Sequence, residues 1–93
     1  MLIEENGIVG EIPDIAISEN TTITISITDI LAYYTYGSQT LTLKSVPYTN
    51  NCDVSVIGND VNITSNTGNG LFYLYIEAAD GTIGFKQYNL IVT

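Results

Sequence analysis

The side chains able to do chemistry in this 93-residue chain are few in kind. Carboxylates dominate, and Glu4, Glu5, Glu11, Asp14, Glu77 and Asp80 are of the type that a paired-carboxylate glycosidase uses. None is flanked by residues that mark a cleft. The chain has no His, no Arg and no Gly-rich phosphate loop, so a Ser or Cys nucleophile lacks its usual base. The expectation is a protein that is not an enzyme and uses no cofactor. Cys52 has no partner in the chain and reads as a buried thiol behaving as a small hydrophobe, with an intermolecular bridge as the alternative.

The aromatic residues carry more information. By strand parity, Leu71, Tyr73 and Tyr75 share one face opposite Phe72, Leu74 and Ile76, and Phe85 lies outward on the following strand. That places an apolar stripe away from the core, of the kind that protein interfaces use. Tyr33, Tyr34 and Tyr36 fall in a connecting segment, where they would form a stacking platform for a sugar ring. Lys86 shares parity with Tyr88 and Leu90 and so points inward or to a rim, whereas Lys44 points out. An inward lysine raises the question of a self-made isopeptide bond; the alternative is an ammonium that reaches water at the sheet end.

Two sequons, Asn20-Thr21-Thr22 and Asn62-Ile63-Thr64, are candidate N-glycosylation sites, and Asn50-Asn51-Cys52 is a rarer variant. Asn20 falls in an expected turn, and Asn62 sits between inward Val61 and Ile63, so both side chains are expected at the surface. The net charge of -8 sets Lys44 and Lys86 against ten acidic residues, which repels rather than attracts a phosphate backbone. No run approaches the roughly 20 apolar residues of a membrane span, and the first residues lack the pattern of a signal peptide. No nucleic acid and no membrane insertion are expected.

What must position these residues is a set of short strands. Residues 21–27 alternate strictly, with Ile23, Ile25 and Ile27 on one side and hydroxyl residues on the other. Shorter alternations occur at residues 15–17, 41–43, 54–56 and 61–63, each bounded by Gly, Asn, Asp or Pro. Residues 71–78 and about 84–92 form a hairpin about Asp80-Gly81. Residues 29–36 suit at most one helical turn. The sum is an all-β, antiparallel sandwich of about seven strands over residues 12–93, with one core. Residues 1–11 form an arm or linker whose apolar Met1-Leu2-Ile3 and Ile8-Val9 suit strand addition to a neighbour.

Ile12-Pro13-Asp14, then residues 19–25, then Tyr75-Ile76-Glu77-Ala78-Ala79-Asp80-Gly81, then Tyr88-Asn89-Leu90-Ile91-Val92 follow an order that resembles the cadherin-like and immunoglobulin-like repeats of prokaryotic surface proteins. The resemblance implies an extracellular, cell-surface location and calcium held at module junctions. Glu19 and Asp80 match two liganding places. The acidic cluster expected after the second strand is replaced by Ala32-Tyr33-Tyr34-Thr35-Tyr36-Gly37, well short of the six to eight oxygens calcium takes. The expected function is therefore a structural or adhesive module of a surface, filament or virion protein, contacting copies of itself or adjacent modules. The alternative is a carbohydrate-binding module that meets glycans through exposed tyrosines.

Overall fold

The computed structural model describes residues 7–93. The apolar Met1-Leu2-Ile3 of the expected arm lies outside the described residues. In chain order the elements are β1 (Val9–Gly10), β2 (Ile15–Ile17), β3 (Thr22–Ser26), α1 (Ile27–Leu31), β4 (Tyr34–Thr35), β5 (Leu41–Asn50), β6 (Cys52–Ile57), β7 (Asp60–Ser65), β8 (Gly70–Ala78) and β9 (Ile83–Val92). They form a four-stranded sheet ordered β2-β9-β8-β5, a three-stranded sheet ordered β3-β7-β6, and a small ribbon joining β1 to β4. The all-β sandwich read from alternation is the fold.

Alternation decides what is inside. Phe72, Leu74, Ile76 and Leu90 from the larger sheet meet Val61 and Ile63 from the smaller, all with no exposed surface. Cys52 is buried as expected, donating weakly to the Leu71 carbonyl at 3.4 Å. Ile30 on α1 is also fully buried and fills one end of the core. The single helical turn begins two residues earlier than the 29–36 segment suggests. Ser26 caps it by accepting from the Asp29 N–H at 3.1 Å, which makes the turn start where β3 stops.

Two of the corners where the chain passes from one sheet to the other are built alike. At the first, β2 leads into β3, and the buried Ser65 hydroxyl donates to Ser18 O at 2.6 Å while accepting from Thr21 N at 3.1 Å. At the second, β5 leads into β6 through Asn51, whose side-chain amide donates to the carbonyls of Thr67, Gly68 and Asn69. Both corners contain an asparagine at positive φ, 53° at Asn20 and 58° at Asn51, a conformation asparagine tolerates better than most residues. Gly70 packs under the second corner, where a Cβ would sit 2.7 Å from Asn51 O and 2.8 Å from Asn50 O.

Two details depart from the sequence reading. β2 pairs with β9 in parallel, with Ile15 opposite Leu90, so the sheets are not wholly antiparallel. β5 runs for ten residues rather than the short stretch about residues 41–43. Pro47 lies inside it and is accommodated because β5 is an edge strand, with register shifts between Leu43 and Ser45 and between Ser45 and Tyr48.

Candidate functional site

The outer face of the four-stranded sheet gathers most of the aromatic residues that are not in the core. β8 sets Tyr73 and Tyr75 outward because Phe72, Leu74 and Ile76 point in. Tyr75 stands opposite Phe85 of β9, with ring centroids 5.0 Å apart. On the other side Tyr73 stands opposite Tyr48 of β5, with centroids 5.6 Å apart. The tilted pairs form a band across three strands, and Leu71 flanks it half-buried. Phe85 is 60% exposed, Tyr48 50%, Ile83 47% and Tyr73 36%. With about 200 Å² per aromatic side chain, these residues present roughly 400 Å² of surface, the scale of functional patches on soluble proteins.

Tyr48 was invisible to parity counting. Pro47 and the adjacent register shift interrupt the alternation that would have marked its strand, and only pairing with Tyr73 reveals its side. The face carries little net charge: the Lys44 ammonium lies 3.4 Å from the Glu77 carboxylate, Gln87 and Asn89 are neutral and joined by a 2.7 Å hydrogen bond, and one further carboxylate, Asp14, accepts from the Asn89 amide at 3.2 Å on the side away from the aromatic band.

The opposite face, on the three-stranded sheet, is made mainly of hydroxyls and amides, with Asp53, Ile57 and Asp60 beside them. Thr22 and Thr64 hydroxyls meet at 2.7 Å, and the Thr24 hydroxyl donates to the Asn62 side-chain carbonyl at 2.6 Å. The two candidate sequons therefore differ. Asn20 is exposed at its corner, whereas Asn62 is half-buried in the central strand with its side chain engaged. Thr22 and Thr64, the hydroxyl residues of the two sequons, touch one another.

Tyr33, Tyr34 and Tyr36 do not assemble into a platform. Tyr33 is exposed, but Tyr34 is only 4% exposed, because β4 pairs with β1 and turns its ring into the core. Burial, with smaller contributions from Tyr88 and Glu11, pushes the Tyr34 phenol up to about 12. Tyr36 is half-buried, its hydroxyl accepting from the Thr82 hydroxyl at 3.3 Å. Alternation could not foresee this, since a two-residue strand offers no period to count.

Lys86 is half-buried, and its ammonium donates to the Ile8 carbonyl at 2.6 Å while lying 5.9 Å from the Tyr34 ring centroid. Among the described residues no side-chain carboxylate or amide hydrogen-bonds it, although Glu11, Asp14 and Asn89 line the same cleft. Glu19 and Asp80 are not neighbours either. The Glu19 N–H bonds Thr93 O beyond one end of β9, and Asp80 lies in the turn before its other end, a strand length of about 30 Å away at the usual rise. The Asp80 carboxylate instead accepts from the Thr82 N–H at 2.9 Å, which holds its pKa below the ordinary carboxylate value.

No family model matches this chain, and no curated protein or solved structure matches it either.

Proposed function

We propose that this chain is a non-enzymatic module of an extracellular surface or filament protein, of the immunoglobulin-like or cadherin-like repeat type, that works by packing its aromatic face against a copy of itself or an adjacent module. The observation that carries the reading is the band of Tyr48, Tyr73, Tyr75 and Phe85 on a nearly charge-neutral sheet face. In a chain of net charge -8, association of like copies needs a face that carries few of the excess carboxylates, and here Glu77 is paired with Lys44 and, among the described residues, Asp14 is the one carboxylate beside the band without a lysine. The polar face, with its hydroxyl ladder and both sequons on it or at its corner, supports the reading from the other side: a glycan there leaves the aromatic face open.

The test replaces Tyr73→Ser together with Tyr75→Ser. Each substitution removes one aromatic pair of ~0.5–1.5 kcal/mol, so the double variant stays folded with about 1–3 kcal/mol less stability. Hydroxyl-radical footprinting at Phe85 is the readout: protection rises with concentration in the native chain and stays flat in the variant. A native chain whose Phe85 reactivity is independent of concentration, or a variant that retains the rise, sinks the proposal.

A further inference from the structure

We infer that β3 is a strand-pairing edge for a second copy of this chain, distinct from the aromatic face. β3 hydrogen-bonds β7 on one side and, among the described residues, no strand on the other. Two bonds fix the phase of that ladder, Ser65 N–H to Thr21 O at 2.9 Å and Ile27 N–H to Asn59 O at 2.8 Å. In an antiparallel pair the N–H and C=O of one residue point the same way and those of the next point oppositely. The odd-numbered residues therefore face β7, and Thr22 and Thr24 turn their backbone groups to the open side.

Edges are ordinarily blunted by Pro, Lys or a bulge. β5 has Pro47, Lys44 and two register shifts. β6 carries Asp53, and β2 has only three residues. β3 has none of these devices. Its sequence, Thr-Ile-Thr-Ile-Ser, is dominated by β-branched residues, and no charge occurs from Asn20 through Thr28.

Beside this edge, between the two sheets, opens a cleft of about 440 Å³ lined mainly by the apolar side chains of Ile12, Ile25, Ile30, Tyr33 and Tyr88, and also by Asp29. An added strand would lay every second side chain towards that cleft, the arrangement by which edge pairing gains specificity. The occupant that fits is β3 of a second copy, antiparallel about a twofold axis near Thr24. Its Ile23 and Ile25 then lie on the core side, towards the cleft, and its threonines continue the outer hydroxyl ladder. A segment of the same acidic chain must be locally neutral to approach, and β3 meets that condition.

The experiment uses the Tyr73→Ser, Tyr75→Ser chain, in which the aromatic face is disabled, so that this inference and the proposed function fail separately. Sedimentation velocity is expected to show a concentration-dependent dimer that strengthens with salt as the mutual repulsion is screened. The Thr22 and Thr24 amides exchange more slowly as concentration rises. Adding Thr24→Pro removes an outward N–H while leaving the β3–β7 bonds in place, and Thr24→Lys adds a positive charge at the edge. Each is expected to weaken the dimer at least tenfold, and the lysine variant serves if the proline variant fails to fold. A background chain that stays monomeric to about 1 mM overturns the inference. So does a dimer that both Thr24 variants leave intact, or amides whose exchange ignores concentration.

Discussion

Replacing Asn51 separates two physical roles that one residue plays at the corner between the sheets. Its side-chain NH₂ faces three carbonyls, at 2.9 Å to Thr67 O, 3.3 Å to Gly68 O and 3.0 Å to Asn69 O. With two hydrogens to share, it makes the equivalent of two bonds, together about 2 kcal/mol at the usual net value. Asn51→Gly keeps the positive φ of 58° and loses only those bonds. Asn51→Ala loses both the bonds and the tolerance of that backbone region, roughly 1 kcal/mol more. In a domain this small, about 1 kcal/mol moves Tm by ~4–8 °C, so the two variants should melt roughly 10 °C and 15 °C below the native chain.

Asn51→Asp is the sharper case, because it sets a carboxylate against three carbonyl oxygens. It should cost at least as much as the alanine variant near neutral pH. Its charged form is disfavoured in the fold, which raises the carboxyl pKa above the ordinary ~3.9. The destabilisation is therefore complete above the folded pKa and is relieved as pH falls through it, so the Tm gap to the native chain narrows in acid. Calorimetry between pH 3 and 7 measures this. An aspartate variant as stable as the native chain at neutral pH refutes the amide clamp, and equal melting of the glycine and alanine variants refutes the backbone contribution.

Two further outcomes follow from buried titrating groups. Tyr34 ionises only near pH 12 in the fold against about 10 in the unfolded chain, and burial raises Tyr88 as well. Folding free energy is then undiminished below pH 10 and declines as pH rises from 10 towards 12, which alkaline denaturation followed by phenolate absorbance would record. The same melt with Tyr34→Phe should lose part of that decline; an unchanged profile counts against a buried Tyr34. Burial likewise pushes the Cys52 thiol up, so a disulfide reagent at pH 8 should label it at least a hundredfold faster in denaturant than in buffer. Rapid labelling of the folded chain would place Cys52 at the surface.

The elements most legible in the sequence are those whose pattern is local. The strict Thr/Ile alternation gave β3, and Asp80-Gly81 between two alternating runs gave the β8–β9 hairpin. The outward side of Tyr73, Tyr75 and Phe85 came from the same parity. Features that depend on a partner strand were not legible. Tyr48 joins the aromatic band only because β5, bent past Pro47, lays it opposite Tyr73. Tyr34 goes inward because a two-residue strand pairs with Val9 and Gly10, which no window of sequence around residue 34 contains. The parallel match of β2 to β9 is equally non-local, since it joins the start of the described chain to its end. The exposed Asn20 corner was readable as a turn, but its role as a passage between sheets, braced by Ser65, required the tertiary structure.

The unequal faces of the sandwich also limit stoichiometry. In the proposed association each aromatic face is consumed by the other, and a third copy arriving at the pair meets the far faces, where Thr22, Thr24, Asn62 and Thr64 stand with Asp53 and Asp60 and no aromatic residue is present among the described residues. Face contact thus terminates at two. On these proposals, unlimited growth needs a second, independent join such as the inferred β3 edge, which lies at right angles to the face: alternating the two joins would yield an open fibre, and removing either would leave a particle of fixed size.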